Sequence, residues 1–468
     1  MSQVTDKWRV TDPNWLGEPW PANLSRGSQG EMVLGGKPLT EIAAEVGTPA
    51  YLIDEADFKG RAAAYQKAFT EAFNAIGSTV NLFYAGKANL NKTLARWAAG
   101  IGMGVDTTSA AEMATALAAG VPAARIALHG NNKSRAEIEM AVKAGIGHII
   151  VDSLPEVDLV AEAAAAAGVV QPVLVRVTTG VHAGGHEFIS TAHEDQKFGL
   201  SISPVPGAQH SAAMEAILKV LEQPSLKLLG LHSHIGSQIL DPEGFKIAAR
   251  ALVQLRADIY KRRGILLEEL DLGGGFGIAY LPGQVSMDPR VAANAVATAI
   301  GDACGALGVT VPRIAIEPGR SLIGGAGITL YEVGTIKEVS VHAKDGTLFP
   351  RLYVSVDGGM SDNMRPMLYD AEYHAELANR VSDAEPVLAR IVGKHCESGD
   401  ILIKAIQLPG DIKAGDLLAV AATGAYGRSM ASNYNMIPRP PVVGVGDGKA
   451  TVLVRRETTA DLLALDEG

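Results

Sequence analysis

The feature that most constrains the fold is a regular alternation of short apolar segments and alanine-rich segments. Five segments rich in Val, Ile and Leu begin at residues 80, 104, 126, 149 and 172. The spacing is that of one strand plus one helix. Three further segments of the same kind follow before residue 318. The eight predicted strands are Val80–Tyr84, Gly104–Asp106, Ile126–His129, Ile149–Asp152, Pro172–Val177, Leu228–His234, Glu269–Gly273 and Arg313–Glu317.

Eight strands, each but the last followed by a helical segment, predict an α/β fold with a TIM-type (β/α)8 barrel over residues 46–325. A doubly wound open sheet has the same alternation, so the strand count alone leaves both arrangements open. Helix boundaries are signalled by a capping-box pattern at Thr108–Glu112 and by glycines that close the helices Ser134–Ala144 and Leu154–Ala167. A longer glycine-rich segment, 180–199, separates the fifth and sixth strands.

The pattern changes after Gly327, where short apolar segments are separated by turns. This predicts an antiparallel β domain over residues 326–468. Its predicted strands are Thr329–Val341, Arg351–Val356, Ala389–Val392, Asp400–Ile406 and Asp416–Ala422. One helix is expected within it, at Ala371–Arg380. Residues 1–45 are predicted to be an N-terminal segment whose end joins the β domain.

Composition limits the partners that we expect. The 41 Lys and Arg residues are outnumbered by 51 Asp and Glu, the net charge is −10, and there is no extended basic run, which argues against nucleic acid or an anionic membrane. No apolar segment approaches the ~18 residues of a membrane-spanning helix. Two cysteines cannot form a disulfide framework, and no secretion signal pattern is evident. We therefore expect a soluble, cytoplasmic protein.

Four clusters of unusual residues follow predicted strands, at the end of the barrel where active sites lie. They are Phe83–Asn89 after the first strand, His232–Gln238 after the sixth, Gly273–Gly275 after the seventh and Glu317–Arg320 after the eighth. Their convergence on one face is stronger evidence for a site than any one cluster.

Lys87 and the glycines together point to a cofactor. A lone lysine at a strand end is most often a surface residue, but its amine can also condense with an aldehyde. Glycines let backbone N–H groups approach a phosphate, the loops after strands seven and eight are the usual phosphate site of such barrels, and Ser237 adds a hydroxyl donor. A phosphate together with a Schiff-base lysine implies pyridoxal 5′-phosphate (PLP).

Three more residues are candidates for the site, and two of them have two interpretations each. Glu317 either pairs with Arg320 or hydrogen-bonds the pyridine nitrogen of PLP and keeps it protonated. His234 is either a core histidine or a ring that lies flat against the cofactor. Asp106 is a candidate for the surrounding shell of the cofactor.

In combination, the four clusters resemble the fold-type III PLP-dependent decarboxylases. The C-terminal half resembles the diaminopimelate decarboxylases in particular, and the resemblance covers roughly residues 30–465. The motifs that carry this second resemblance are Asp357–Met360, Arg365–Tyr369, Cys396–Asp400, Gly424–Tyr426 and Ser432–Asn435.

The resemblance implies an alanine racemase-like fold, in which a PLP-binding barrel is joined to a β domain. It implies Lys87, His234 and the proton donor Cys396 as catalytic residues, and no metal. The cofactor-binding residues that it implies are Lys87, Asp106, His234, Ser237, Gly274, Gly275, Glu317, Pro318, Gly319, Arg320 and Tyr426. The substrate-binding residues that it implies are Arg320, Arg365, Tyr369, Glu397 and Tyr426.

The reaction implied is decarboxylation of meso-2,6-diaminopimelate to L-lysine and CO2, the last step of lysine biosynthesis, by a homodimer with shared active sites. In such a dimer Cys396, Glu397 and Tyr426 come from the other subunit. The distal end of this substrate is a zwitterion; arginines suit its carboxylate and Glu397 its ammonium group. An arginine or ornithine decarboxylase of the same fold and a non-catalytic regulatory homologue remain the alternatives.

Overall fold

The computed structural model describes residues 16–180, 197–342, 346 and 348–468. Two compact units interleave along the chain. The barrel unit comprises Ala62–Gly277 and Ser286–Ser321, and the β unit comprises Met1–Arg61, Ile278–Val285 and Leu322–Gly468. The division predicted from the sequence, with cuts after residues 45 and 325, stays a prediction. Most of the predicted glycine-rich segment 180–199 lies outside the described residues.

The elements are numbered along the chain. The strands are β1 (Leu24–Arg26), β2 (Met32–Leu34), β3 (Lys37–Pro38), β4 (Ala50–Asp54), β5 (Val80–Ala85), β6 (Gly104–Thr107), β7 (Ile126–Leu128), β8 (His148–Val151), β9 (Gln171–Thr178), β10 (Leu200–Ser201), β11 (Leu226–His232), β12 (Glu269–Asp271), β13 (Arg313–Ile316), β14 (Gly327–His342), β15 (Leu348–Val356), β16 (Ala375–Leu377), β17 (Pro386–Val392), β18 (Ile401–Pro409), β19 (Leu417–Val420), β20 (Val442–Gly446) and β21 (Lys449–Val454). The helices are α1 (Leu39–Val46), α2 (Glu55–Asn74), α3 (Lys92–Gly100), α4 (Ala110–Ala118), α5 (Arg135–Ala144), α6 (Leu154–Ala167), α7 (Ala212–Leu221), α8 (Glu243–Arg263), α9 (Pro289–Leu307), α10 (Arg320–Ile323), α11 (Arg365–Tyr369) and α12 (Thr459–Leu463).

The barrel unit contains a closed parallel sheet. Its eight strands follow the order β9-β11-β12-β13-β5-β6-β7-β8, and β8 pairs back onto β9. Closure excludes the doubly wound alternative, because an open sheet has two unpaired edges. The predicted TIM-type barrel is confirmed, and each of the eight predicted strands matches an observed one. The short strand β10 extends the sheet beside β9.

An apolar layer fills the middle of the barrel and leaves its carboxyl end free for polar groups. Phe83, Ala127, Ile150, Leu174 and Ala315 are all buried and pack together. These residues come from five of the eight strands, as in a packed barrel core rather than a pore. Polar side chains at the strand ends therefore meet above a solid apolar floor.

Local capping sets where the helices between these strands begin and end. Ser134 and Glu137 form a reciprocal capping box at the start of α5. Gly145 and Gly168, with φ of 68° each, end α5 and α6 in the left-handed conformation that glycine adopts most easily. The predicted helices therefore stop where the sequence expects.

Length alone does not make any of these helices a membrane segment. The longest, α8, ends in three cations, Lys261, Arg262 and Arg263. Among the helices that the structure describes, none is both long and apolar enough to cross a membrane.

The β unit is built on a second sheet in the order β18-β17-β15-β14-β4-β20-β21, to which β16 and β19 are added beside β14. Most pairs are antiparallel, as predicted, while β15–β17 and β4–β20 are parallel. Strands β1–β3 form a separate three-stranded sheet. Apolar side chains from β1, β2 and α1 share one core with β4, β14 and β20.

The helix expected at Ala371–Arg380 is wrong. Ala375–Leu377 is instead strand β16, which pairs antiparallel with β19. Ala375 and Leu377 are buried while Glu376 between them is half-buried, which is the two-residue period of a strand. The short helix of this region is α11, which lies just upstream. Pairing with a buried neighbouring strand outweighed the helical propensity of Ala, Glu and Leu.

Candidate active site

A cavity of about 450 Å³ lies at the carboxyl end of the barrel strands. Four predicted site residues line it: Lys87, Asp106, His234 and Glu317. The lining residues to which the sequence analysis gave no role include Thr108, His129, Gly130, Asn131, Arg176 and His232. The barrel thus brings together side chains from loops that are up to 230 residues apart in sequence (317 − 87 = 230).

Lys87 lies directly after β5, in the single 3-10 turn Gly86–Ala88. Its side chain is exposed, while both neighbours in the turn are buried. A Cβ at Gly86 would lie 2.8 Å from the backbone oxygen of Asp106, so the turn needs a glycine at this close approach. The Tyr84 hydroxyl donates to the Asn89 carbonyl at 2.5 Å and ties down the far side of the turn.

Glu317 follows β13 and is 8% exposed. Its Oε1 lies 3.1 Å from Nε2 of His232 and 3.3 Å from Nε2 of His129. The Nε2 of His129 is also 3.5 Å from Oδ1 of Asp106. Glu317 therefore lies against two imidazoles, whereas the simplest sequence interpretation paired it with Arg320.

Burial and mutual repulsion separate the acids of this cavity. Burial, and then the charge of Glu317, raises the pKa of Asp106 well above its ordinary value. The same two causes raise the pKa of Asp271. Burial also works against ionisation of Glu317, but the imidazoles of His129 and His232 outweigh it and hold the pKa of Glu317 well below its usual range. Glu317 is thus the acid of the group that ionises most readily, and the two aspartic acids ionise less readily than it does.

The histidines are neutral at physiological pH. Burial lowers the pKa of His129 and of His232 to about 4. Burial, followed by the charges of Lys87 and Arg176, lowers the pKa of His234 well below 6.5. The Gly274 N–H donates to Nδ1 of His234 at 3.3 Å. That bond assigns the acceptor nitrogen of His234 and fixes the orientation of its ring.

The loops after β11, β12 and β13 are joined to one another. The Ile239 N–H donates to the Gly275 carbonyl at 2.9 Å, and an Arg320 guanidinium N–H donates to the Ser237 hydroxyl at 2.8 Å. Gly275 has φ of 111°, and a Cβ there would lie 2.3 Å from the Gly236 oxygen. These loops are the predicted phosphate loops, and their backbones approach as closely as only glycine allows.

Gly274 and Gly319 are also predicted to bind the cofactor, and packing alone already requires a glycine at each position. A Cβ on Gly274 would lie 2.2 Å from the Glu317 carbonyl oxygen. Gly319, which follows Pro318, would clash in the same way with Ala85, at 2.9 Å from its Cβ. Their roles toward a phosphate stay predictions.

Arg176 is a lining residue that the sequence analysis missed. It belongs to β9, where all the remaining residues from Val173 to Val177 are buried and apolar. Its guanidinium carbon lies 4.4 Å from the centre of the Phe198 ring, and Nε lies 3.9 Å from Oδ2 of Asp152. A lone arginine inside an apolar barrel strand is a signal that could have identified it.

The β unit gathers the C-terminal motifs around Asp400. Its carboxylate accepts the N–H of Met360 at 2.7 Å and the N–H of His395 at 2.9 Å. It also lies 2.8 Å from Nδ1 of His395. A Cβ on Gly359 would lie 2.6 Å from the same carboxylate. Several motif residues therefore serve to hold two loops together, a role that sequence reasoning did not give them.

The predicted substrate-binding and proton-donating residues of the β unit differ in exposure. Cys396 and Glu397 are exposed, and the Cys396 N–H donates to Oδ1 of Asn435 at 3.1 Å. Tyr369 is exposed and Tyr426 half-buried. Arg365 is buried; Nη1 donates to the Tyr373 hydroxyl at 2.5 Å, and the guanidinium lies over the Tyr280 ring. The interpretation of Cys396 as an inert buried thiol is therefore wrong.

The barrel cavity fits PLP. Oε1 of Glu317 and both carboxylate oxygens of Asp106 are buried and make no hydrogen bond to the residues that the structure describes. An exposed lysine amine shares the cavity with them. The pyridine nitrogen of PLP requires a buried carboxylate with a free acceptor oxygen. The aldehyde of PLP requires an accessible amine.

Comparison with known proteins identifies the class first. Residues 56–324 match the family model of the pyridoxal-dependent decarboxylases, in its pyridoxal-binding domain. The diaminopimelate decarboxylase of Mycobacterium tuberculosis is 50% identical over 454 residues, which cover 96% of this chain and 97% of that protein. The chain belongs to the diaminopimelate decarboxylase family. It is a carboxy-lyase, and its cofactor is PLP.

Solved structures agree with this assignment. The diaminopimelate decarboxylase of M. jannaschii, determined in complex with L-lysine, has a TM-score of 0.87 and 32% identity, covering 96% of this chain and 98% of that one. The Helicobacter pylori enzyme with L-lysine has a TM-score of 0.79 and 31% identity, with coverages of 92% and 99%. The predicted combination of a barrel and a β domain is therefore confirmed.

Proposed function

We propose that this chain decarboxylates meso-2,6-diaminopimelate to L-lysine and CO2, the last step of lysine biosynthesis. The observation that carries the proposal is the barrel cavity, in which Lys87 and the buried carboxylate Glu317 face one space. Two of the solved relatives were crystallised with L-lysine, which is the product that this reaction requires. Cys304 and Cys396 are free thiols, in keeping with the cytoplasmic location that we expect.

Three residues of the barrel unit have the roles that the cofactor needs. Bound PLP supplies an electron sink for the pair left behind when CO2 departs. Lys87 would hold the cofactor through its amine. Glu317 would pair with the ring nitrogen and favour its protonated form. His234, whose ring is fixed by Gly274, would pack against the cofactor.

The phosphate is assigned to the joined loops of the barrel unit. Ser237 supplies a hydroxyl, and Gly274, Gly275 and the Pro318-Gly319-Arg320 backbone supply close approach. Asp106, buried beside Glu317, completes the surroundings of the ring. The close backbone contacts of these loops support the assignment, since a Cβ at Gly275 would lie 2.3 Å from the Gly236 oxygen and force the loops apart.

The substrate and the proton are assigned to residues of the β unit, with Arg320 added from the barrel unit. Arg365, together with Arg320, binds the distal carboxylate of the substrate, and Tyr369 and Glu397 bind beside its ammonium group. Cys396 delivers the proton to the α-carbon, and Tyr426 contacts both cofactor and substrate. Cys396 is not among the residues that line the barrel cavity.

This division of labour supports a homodimer with shared active sites, in which the β unit of one subunit serves the cavity of its partner. Cys396, Glu397 and Tyr369 are exposed in the single chain, so a second subunit can meet them. Leu368, Tyr434 and Met436, near the same motifs, are exposed apolar residues. Apolar side chains of this kind are typical of surfaces that a partner covers.

The direct test supplies the full-length chain with PLP and meso-2,6-diaminopimelate and measures L-lysine and CO2. L-Lysine, ornithine and arginine are offered in parallel. We expect them to react slower by a factor of about 10⁴, because omitting the distal carboxylate leaves arginine donors unpaired. Faster turnover of ornithine or arginine would replace the proposal with a polyamine-type decarboxylase.

The cofactor linkage has its own test. Borohydride reduction of the PLP-loaded chain, followed by peptide mapping, is expected to find the label on Lys87. Lys87→Ala loses the covalent label, whereas Lys92→Ala, at an exposed lysine five residues further on, keeps it. A label on any other lysine contradicts the assignment.

A further inference from the structure

A cluster of three buried side chains in the lining of the cavity has the composition of a metal site. Nε2 of His129, Nε2 of His232 and a carboxylate oxygen of Glu317 all lie within 4.8 Å of one another. The three side chains come from the ends of three different barrel strands. Each residue is more than nine-tenths buried.

The three atoms converge without satisfying one another. Oε1 of Glu317 lies 3.1 and 3.3 Å from the two imidazole nitrogens, yet none of the three has an aligned hydrogen bond to any residue that the structure describes. The two imidazole rings stand at 70° to each other, with centroids 5.1 Å apart. Three buried polar atoms that face one another unpaired need a shared partner, because each loses hydration without compensation.

A zinc-like ion matches this arrangement. Zn–N and Zn–O bonds of about 2.0–2.1 Å in tetrahedral geometry place neighbouring ligand atoms about 3.3 Å apart. The nitrogen–oxygen separations in the cluster are close to that value. Two imidazoles and one carboxylate select zinc, cobalt or nickel rather than magnesium or calcium, which prefer oxygen ligands.

We propose that His129, His232 and Glu317 bind a zinc-class divalent cation in the PLP-free chain, and that this ion and PLP exclude each other. The exclusion rests on the proposed role of Glu317: its carboxylate cannot serve both the cation and the ring nitrogen. Asp106, whose Oδ1 lies 3.5 Å from Nε2 of His129, stands next to the same position. Such an ion would have to leave before the cofactor could bind.

Cobalt is the probe for this site, since tetrahedral Co²⁺ absorbs in the visible range. The full-length PLP-free chain is titrated with Co²⁺ and then with Zn²⁺ as a competitor. We expect one saturable Co²⁺ site per chain, displaced by Zn²⁺. His129→Gln and His232→Gln each weaken Co²⁺ binding by at least roughly tenfold, one lost ligand bond each. His148→Gln is the matched control, because His148 is a second barrel histidine near a buried glutamate, 3.8 Å from Glu269.

A second measurement does not depend on the folding of any variant. Borohydride fixes PLP on the wild-type chain, free cofactor is removed, and the Co²⁺ titration is repeated; the tetrahedral absorption should be lost. No saturable Co²⁺ site in the PLP-free chain, or binding that survives both histidine substitutions or the fixed cofactor, overturns the proposal. Lysine production with a Lys87 label but without Co²⁺ binding rejects the metal site alone. A label elsewhere rejects the proposed function, whatever the metal does.

Discussion

At the scale of single residues, the chemistry depends on which groups carry charge inside low-dielectric surroundings. The two imidazoles lower the pKa of Glu317, while burial and the charge of Glu317 raise the pKa of Asp106, so Glu317 ionises more readily than Asp106. In the β unit, Asp362 is a second example of a buried acid. It is fully buried, and its carboxyl group accepts the Gly359 N–H at 2.8 Å and the hydroxyl of Tyr331.

Cys396→Ala tests the proton donor. Loss of a positioned general acid should slow turnover of diaminopimelate by roughly 10²–10⁴. The absorption of bound PLP should not change, because the barrel unit holds the cofactor. Cys304→Ala, in the buried face of α9, is the control and should keep normal turnover. A Cys396→Ala enzyme with normal rates in both H2O and D2O would remove this residue from the mechanism.

Asp362→Asn tests a buried acid through the pH dependence of stability. Burial raises the pKa of Asp362 from 3.8 to about 7. The folded chain therefore keeps this proton between about pH 4 and 7 while the unfolded chain loses it, so the contribution to stability falls as pH rises through that window. Asparagine cannot ionise, and the variant should gain up to about 4 kcal/mol relative to the wild type between pH 4 and 8.

Urea unfolding of both proteins across this range provides the measurement. Above pH 8 the difference in the free energy of unfolding should become constant, since the acid is then ionised in both states. A difference that is the same at pH 4 and pH 8 would show that Asp362 is not protonated in the folded chain.

At the scale of elements, the barrel supplies a rigid ring of strand ends, and the loops after three consecutive strands in the sheet complete the site. β11, β12 and β13 end side by side, and their loops are linked by backbone and side-chain hydrogen bonds. Because these loops pass so close to each other, glycine is required by contact and not only by conformation.

Gly274→Ala tests this crowding. The new Cβ would lie 2.2 Å from the Glu317 carbonyl oxygen, so the loop or the end of β13 must move. We expect a loss of about 1–3 kcal/mol in the free energy of unfolding, as in other overpacked sites. PLP affinity should fall at least roughly tenfold, because the displaced backbone carries both Glu317 and the donor to His234.

Gly305→Ala is the control for this substitution. Gly305 lies within α9, where an added Cβ meets nothing within 4 Å. Alanine there should stabilise the chain by about 0.5–1 kcal/mol, because it lowers the conformational entropy of the unfolded state. The free energy of unfolding should therefore fall in Gly274→Ala and rise in Gly305→Ala. The PLP affinity should fall in Gly274→Ala and stay unchanged in Gly305→Ala. Normal stability and PLP binding in Gly274→Ala would contradict the argument.

At the scale of the whole molecule, the residues to which we assign one reaction are divided between two units of the chain. Lys87 and Glu317 belong to the barrel unit, and Cys396 and Glu397 to the β unit. The shared-site homodimer that we propose accounts for this division, since each subunit then completes the site of the other.

Subunit mixing tests the shared site. Lys87→Ala and Cys396→Ala subunits are each expected to be inactive alone. After exchange, half of the dimers should be mixed and each should hold one intact site, so about a quarter of wild-type activity should return. Mixing either variant with itself is the control. Labelled subunits show whether exchange has occurred. If it has and activity does not recover, the shared site is contradicted.

The sequence by itself determined the repeating unit and identified four of the residues that line the barrel cavity. Apolar runs at one strand-plus-helix spacing fixed the eight barrel strands, because burial of both faces of a strand needs such runs. Lys87, Glu317 and His234 were identifiable since each follows a strand at the end where barrel sites lie. Local signals were also reliable: Ser109 caps α4 as expected, although Glu112 bonds Thr108 rather than completing the box.

Only the tertiary structure decided what depends on distant pairing. Closure of β8 onto β9 separates a barrel from an open sheet, and no local pattern encodes it. Pairing with β19 made Ala375–Leu377 a strand, against its helical propensity. His129, His232 and Arg176 joined the site because their strands bend into one ring. The charge state of Glu317 follows from that ring, since burial and neighbours set a pKa and both come from residues far apart in the chain.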